Sequence, residues 1–568
     1  MTDASTQGWD HTVDLLVVGS GAGAMVSALT AYDRGGDVLL IEKGEQYGGS
    51  SAMSGGGFWL PNNHLMSGVG IDDDPEEALD YLKITTGGVV AEDRLRAYVD
   101  KGPEMLEYLC EHTRLDVVSM PEYPDYYPNV HGNRPGGRAL EPKNFDARLL
   151  GDEFLRMREP AVQELIMGRI LMTVVEARTM LCRTPGWVGI TMRLFARYLL
   201  DIPWRFKSKR DRNLAMGNGL VGMLRRSLMD RGIPLWLETP ARELVVEDGR
   251  VVGVVAEKQG RSVRIRARKG VVLAAGGFEA SQVMRDKYLP HPTRAEWTCG
   301  NPDNTGDAIN MGLQVGAALE LMDDAWWGPT TVVPGEDRAR MLVIEKSLPG
   351  SILVDKRGQR FVNEALPYVD VVKAMYEHDT PEAPSVPAYL IFDADFRRKY
   401  PCGPFLQAQQ QPDWALPKRL KQGYLKKADT LEGLAAFFGI DAEGLKASAR
   451  RMGEYARTGK DLDFNRGETV FDRYYGDENV QPNPCLAPIE KPPFYVMEAF
   501  AGELGTKGGL AADALARVLD EAGETIPGLY AIGNCSAPAM GNSYPGPGCT
   551  LGPATTFGYI AADHAMDE

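Results

Sequence analysis

Apolar runs and the points where they break divide this chain into elements. Asp14-Leu15-Leu16-Val17-Val18 is a continuous apolar run of strand type that stops at Gly19-Ser20-Gly21-Ala22-Gly23-Ala24. Met25 to Arg34 carries a helical pattern, and Val38-Leu39-Leu40-Ile41 is a second strand ending on Glu42. A helix is predicted from Gly217 towards Arg231, then a strand and turn from Pro234 to Ala241. Leu244–Val246 and Val251–Ala256 flank Asp248-Gly249, a hairpin signal, and Val263–Ala267 extends that meander. Gly270 to Phe278 is predicted as a further, buried strand ending in small residues. Near the C-terminus Gly528 to Asn534 reads as another strand meeting glycine, and Thr550 starts a last helix.

The first break carries chemistry. Strand, G-x-G-x-x-A, helix, strand and acid follow in order, the pattern of a dinucleotide-binding unit. Gly19 makes the turn, Gly21 lets the backbone approach a pyrophosphate, and Ala24 lets the helix pack closely on the sheet. Ala22 and Gly23 open that helix, whose free N–H groups and partial positive charge suit phosphates. Glu42 stands where a carboxylate would bind ribose hydroxyls, with Lys43 beside it. A second small-residue loop follows, in which Gly49, Ser50, Ser51, Ser54, Gly55 and Gly56 are candidates for contacts beside the pyrophosphate and ribityl chain. NAD-only dehydrogenases usually lack such a loop, so it favours FAD. The later returns of the chain add Ala241, Ala275, Gly276, Gly533, Asn534, Leu551 and Gly552 as cofactor-binding candidates.

Composition narrows the class. A chain of 568 residues, 44% hydrophobic, can hold two domains with substantial cores. A net charge of −16 argues against nucleic acid as a partner. Seven scattered cysteines without C-x-x-C imply a reducing, cytoplasmic setting, and the seven histidines lack metal-ligand spacing, so no metal site is expected. The polar start from Met1 to Asp14 has no apolar core of a signal peptide, and no run is long enough to span a bilayer. One segment departs from the acidic average. Ala161 to Arg212 interleaves aromatics with cations, as in Trp204-Arg205-Phe206-Lys207-Ser208-Lys209-Arg210. It reads either as a helical pair packed on the core with a solvated basic edge, or as a peripheral contact with the inner membrane face.

The fold class is therefore α/β (α+β overall): a Rossmann-like FAD-binding domain with an inserted mixed α+β substrate domain. The expected divisions are 10–295 for the first part of the FAD domain, including the basic-apolar helical segment at about 155–212. The insertion then occupies 296–487, rich in Trp, Tyr and Pro, and the FAD domain resumes over 488–568.

The tail Gly541-Asn542-Ser543-Tyr544-Pro545-Gly546-Pro547-Gly548 alternates restricted and permissive backbone. Such a run suits a tight loop that aims one phenol and one bare backbone N–H into a site. With this tail, Phe361-Val362-Asn363-Glu364-Ala365-Leu366-Pro367-Tyr368, Asp125-Tyr126-Tyr127-Pro128 and Gly505-Thr506-Lys507-Gly508-Gly509, the chain resembles the 3-ketosteroid Δ1-dehydrogenases, including forms acting on cholest-4-en-3-one. These lie within the fumarate reductase and succinate dehydrogenase flavoprotein superfamily, and the likeness covers nearly the whole chain.

The resemblance implies 1,2-desaturation of a 3-ketosteroid, in which a base takes the C2 proton and FAD takes the C1 hydride. It assigns Tyr544 and the Gly548 N–H to polarising the C3 carbonyl, Tyr368 to the base, and Tyr126, in its D-Y-x-P context, to supporting that base. Tyr127 is the other candidate for that last role. Tyr123, Trp326 and Trp327 are candidates for an apolar sterol pocket or for plain packing. FAD is expected to be non-covalent, because the Gly48–Gly57 loop has no histidine. An external acceptor, a quinone or similar, is expected to take the electrons onward. A C4–C5 ketosteroid dehydrogenase, or an enone reductase of fumarate-reductase type, is the alternative activity.

Overall fold

A computed structural model describes residues 8–568. The first element is the strand His11–Val18, at the centre of an eight-stranded sheet. Leu15, Leu16 and Val17 are fully buried. Both faces of this strand are covered, which is why its sequence is continuously apolar rather than alternating. Val38–Ile41 lies parallel on one side of it, and Leu235–Trp236 lies parallel beyond that. Helix Ala22–Asp33 crosses between the first two strands and packs on the last helix, Leu551–Asp567. The contact is close because Gly23 leaves room: a Cβ there would meet the Ala554 carbonyl oxygen at 2.5 Å.

On the other side of the first strand runs Arg261–Leu273, parallel to it. The sequence suggested two strands here, Val263–Ala267 and Gly270–Phe278. They are one strand of 13 residues that changes partners along its length. Its first half closes the antiparallel meander with Arg250–Lys258 and Ala241–Glu247, and its second half pairs in parallel with Thr525–Ala531. The chain therefore returns to this sheet after an excursion of about 250 residues. The hairpin turn holds Asp248 and Gly249 at φ 49° and 78°, the left-handed geometry that Asp-Gly supplies.

The excursion builds a second, six-stranded antiparallel sheet. Its long central strand is Phe494–Thr506, flanked by Ala325–Thr331 and Ala388–Phe392. Sequence reading placed the return to the nucleotide domain at 488, whereas this strand pairs within the second sheet. Its pairing on both edges, with most of its side chains buried, fixes it in the insertion.

The segment at about 155–212 folds as a small lobe. A two-stranded ribbon, Leu165–Ile166 with Ile170–Leu171, is followed by helices Val174–Leu181 and Trp187–Leu200. Thr173 and Glu176 form a capping box at the start of the first of these. The lobe has its own small core, centred on Leu194, Tyr198 and Ile170.

Candidate active site

A single cavity of about 1080 Å³ runs from the glycine-rich end of the first sheet to the tyrosines of the insertion. It exceeds the usual span of a drug-sized pocket, so two ligands can lie in it end to end.

The glycine end is shaped for a dinucleotide. Gly19 sits at φ +120°, and a Cβ there would lie 2.2 Å from the carbonyl oxygen of Ala274, so no other residue fits this turn. Helix Ala22–Asp33 opens with Gly21 at its cap position and no side-chain cap. Apart from the Ala22 N–H, which donates to Ser51 Oγ, its amino end is open to a ligand's phosphates. Glu42 lines the cavity and is oriented by Ser20 Oγ, which donates to Oε2 at 2.6 Å, and by the Gly44 N–H, which donates to Oε1 at 2.9 Å. Lys43 also lines it, paired with Asp307 at 2.6 Å.

The second loop begins as a one-turn helix, Gly49–Ala52, and folds against the first loop, where Ser51 Oγ accepts from the Ala22 N–H at 3.0 Å. Gly21, Ala22, Gly23, Ala24, Gly49, Ser50, Ser51, Ser54, Gly55, Gly56, Ala241, Ala275, Gly276, Gly533, Asn534 and Leu551 all face the same cavity. Gly552 does not. It is turned towards Trp59 and Tyr98, and its N–H donates to the Gly548 carbonyl inside the first turn of the helix.

Sequence reading missed Asn301 and Asn304, which also line this end. Asn304 Nδ2 donates to Ser50 Oγ and to buried Glu279, tying the serine loop to the insertion. The run Asn301-Pro302-Asp303-Asn304-Thr305-Gly306 carried the signal of a polar turn with several side-chain amides.

At the far end, Tyr126, Tyr368, Tyr544 and Gly548 come together from three stretches of chain. Tyr368 is the first residue of helix Tyr368–His378, placed there by Pro367. The loop before it is fixed from below. Glu364 takes a fork of two hydrogen bonds from Arg360 and a third from Arg466, while Lys346 Nζ donates to the carbonyls of Glu364 and Leu366. Tyr126 is held by Asp125, which accepts from Trp59 Nε1 at 2.7 Å and from Arg138 at 2.8 Å. The Tyr126 N–H donates to the Pro545 carbonyl at 2.9 Å, and Tyr81 Oη donates to the same oxygen at 2.7 Å. The Asp-Tyr motif is thus strapped directly to the tail loop.

Gly548 sits at φ +104° with its α-carbon against the Gly57–Phe58 backbone, where a Cβ would lie 2.5 Å from the Phe58 carbonyl carbon. Its N–H bears on the Tyr544 phenol, as does Thr550, and both oppose the upward push of burial on that group.

The phenols form a chain. Tyr126 Oη donates to Tyr368 Oη at 3.3 Å, and Tyr123 Oη lies 3.3 Å from Tyr126 Oη. Tyr475, missed in the sequence, extends the chain by a hydrogen bond to Tyr123. The Tyr368 hydroxyl also meets that of Tyr544, whose ring stacks on Tyr126 at 5.4 Å between centroids. Tyr127 lies outside this set and turns to Asp370. Trp326 lines the cavity against Tyr544. Trp327, its neighbour on the strand, points to the opposite face, where it donates to Asp324 and packs on Tyr376.

Burial is the largest influence on every phenol here and pushes Tyr368, Tyr126 and Tyr544 above the ordinary tyrosine value. Neighbouring phenols push Tyr368 up as well, and the hydrogen bond from Tyr126 pulls it down. The buried ammonium of Lys507 stands behind the tail loop, donating to the Ser543 carbonyl and to Asp324. Desolvation brings Lys507 down to about 8.

Between these ends the cavity is walled by the lobe and by the loop around 401–411. Leu165, Met172, Met180, Trp187, Phe405 and Leu406 make that wall apolar.

Comparison with known proteins agrees with this geometry. The FAD binding domain family model matches residues 14–551. A 3-oxosteroid 1-dehydrogenase of Mycobacterium tuberculosis is 44% identical over 98% of both chains. The crystal structure of a 3-ketosteroid delta1-dehydrogenase from Sterolibacterium denitrificans, in complex with 1,4-androstadiene-3,17-dione, superposes with a TM-score of 0.95 at 50% identity, covering 98% of this chain and all of that one. The chain belongs to the 3-oxosteroid 1-dehydrogenase family of FAD flavoproteins. A 4-oxocyclohexanecarboxylate 2-dehydrogenase of Sinomonas cyclohexanicum, 35% identical over 97% of this chain and 92% of its own, is a more distant relative. As a member of this family the chain is a flavin oxidoreductase, with FAD as its cofactor. The glycine turn, the amino end of the first helix and Glu42 fit that cofactor's diphosphate and ribose, and the cavity continues from them to the tyrosines.

Proposed function

We propose that the chain removes the C1 and C2 hydrogens of a 3-ketosteroid. The observation that carries this reading is the meeting of a carbonyl-polarising pair and a base in one apolar pocket. The C2–H to be removed is one bond from the C3 carbonyl, so acid and base must converge within a few ångströms. The hydroxyls of Tyr544 and Tyr368 do so, with the Gly548 N–H beside the first.

Tyr544 and Gly548 donate to the ketone oxygen, which draws charge from C2 and acidifies its hydrogen. Tyr368 takes that proton, and Tyr126 stabilises its phenolate by donating to it. The Tyr126–Tyr123–Tyr475 chain offers the proton a path away from the pocket. FAD, when bound, supplies the acceptor for the C1 hydride. The apolar walls exclude water and hold the ring system flat against that end of the cavity.

Anaerobic incubation with androst-4-ene-3,17-dione tests the reading. It predicts bleaching of the flavin and the 1,4-diene-3-one as product. No bleaching by this steroid, with bleaching instead by a ring-A-saturated 3-ketosteroid that yields the 4-ene-3-one, or bleaching only by 4-oxocyclohexanecarboxylate, contradicts it.

An external acceptor of quinone type and a peripheral membrane position complete the proposal. All seven cysteines are free, which supports a reducing cytoplasmic setting. No helix among the described residues is long and apolar enough to cross a membrane. The lobe that walls the cavity exposes Leu200 and Phe206 at 75% and 88%, with Lys207 and Lys209 also exposed beside them. Arg205 and Arg210, by contrast, are spent on backbone carbonyls. This face supports contact with anionic lipid at the cavity's side. Flotation with anionic vesicles should retain the wild type and lose Leu200→Asp/Phe206→Asp; equal partition of the two contradicts membrane contact.

A further inference from the structure

One buried cation near the cofactor's space has no ion-pair partner among the described residues. Arg94, in helix Glu92–His112, is 6% exposed. Its Nη2 donates to Ser536 Oγ at 3.2 Å, and its Nε is buried without an acceptor. The carboxylates that act on it, Glu320, Asp513 and Asp93, make no ion pair with it among the described residues. Its guanidinium lies 5.1 Å from the centre of the Phe557 ring, beside the second turn of the last helix. A small cleft at Arg94 is bounded by Ile532, Gly533, Asn534, Thr550 and Ala554, and the same five residues line the main cavity. One layer of chain therefore separates the cation from the cofactor's space. That layer runs from the glycine end, where Ile532 and Ala554 lie against Gly23, to the tyrosine end at Gly548, so the flavin end of FAD, when bound, would lie along it.

An isolated buried cation is costly unless some negative charge compensates it. The ion pairs elsewhere in the core, Arg285 with Glu503 and Arg360 with Glu364, show how this chain neutralises buried arginines where charge has no use. At Arg94 no carboxylate comes within ion-pair distance among the described residues, and the layer of chain beside it borders the cofactor's space. We propose that Arg94 is a fixed positive charge whose partner is the negative charge FAD gains on reduction, so that it raises the cofactor's reduction potential together with the amino end of the last helix. It touches neither substrate nor cofactor and acts by its field. Desolvation lowers its pKa only to about 10, so it stays charged through the neutral range.

The test is the two-electron midpoint potential of the holoenzyme, measured by anaerobic dye equilibration. Arg94→Gln should lower the equilibrium constant for reduction about tenfold, a fall of about 30 mV, with FAD content and thermal midpoint near wild type. Arg94→Lys, which keeps the charge, should recover most of the fall. If Arg94→Gln does not hold FAD, Arg94→Met, which keeps packing on Phe557, replaces it and should show the same fall. An unchanged potential in either uncharged variant overturns the proposal. So does an equal fall in Arg94→Lys, which would make the effect one of shape. Loss of FAD from both uncharged variants but not from Arg94→Lys also overturns it, because the charge would then serve binding of the oxidised cofactor.

Discussion

The two ends of the cavity are built by different means. The cofactor end is assembled largely from one contiguous stretch, in which strand, glycine turn, helix, strand and Glu42 follow within about 30 residues. Its function rests on backbone: N–H groups, a left-handed turn at Gly19 and room for close approach. The tyrosine end is assembled from loops at 123–126, 368, 475 and 544–548, which meet only because Asp125, Glu364 and Pro545 tie them down. Its function rests on side-chain hydroxyls. The contrast teaches where each kind of damage should appear: changes at the tyrosines should stop chemistry and leave FAD bound, and changes at the cofactor end should release FAD and leave the fold.

The sharpest way to break that division is Tyr368→Phe. Loss of the base should cost about 10²–10⁴ in kcat with FAD content unchanged, read by steady-state kinetics and flavin absorbance. Tyr544→Phe should follow at about 10²–10³, the usual cost of one oxyanion donor. Full activity in either variant removes that residue from the mechanism. At the other end, Glu42→Gln replaces a charged acceptor with a neutral amide and should weaken FAD binding by about 1.5–3 kcal/mol, measured by calorimetry on the stripped protein. The reconstituted variant should keep a near-normal kcat.

Tyr126→Phe should have a smaller effect, about tenfold, because one neutral hydrogen bond to the phenolate is lost. It should also move the pH profile. The sign follows from the direction of the Tyr368 shift. Burial raises its pKa, so the ionised fraction is small at neutral pH and climbs throughout the range from about 7 to 10. The logarithm of kcat/KM should climb with it, and removing the Tyr126 donor should push the rise to still higher pH. A profile flat from mildly acid to alkaline pH contradicts a tyrosine base.

The same contrast explains what the sequence disclosed. The cofactor end was legible because glycine spacing, strand patterning and Glu42 are local, and physics assigns each a role. The motif tyrosines were legible through their surrounding Pro and Gly residues, yet their neighbours were not. Nothing around Tyr475 distinguishes it from a packing aromatic, and its role appears only when the fold brings it to Tyr123. The place of strand Phe494–Thr506 in the second sheet was not legible, because its partners lie far away along the chain, outside any local pattern. Gly552 differs for the opposite reason. It sits inside a recognisable helix start, but the turn of that helix aims it at Trp59 and away from the cavity lining.

The central claim is that the ring ketone is held by the tail loop. A crystal structure of the holoenzyme with a bound 1,4-diene-3-one tests it most directly. The account predicts the C3 oxygen within about 3 Å of both Tyr544 Oη and the Gly548 nitrogen, with Tyr368 Oη beside C2. A steroid bound with that oxygen pointing into the apolar wall of the lobe would contradict it.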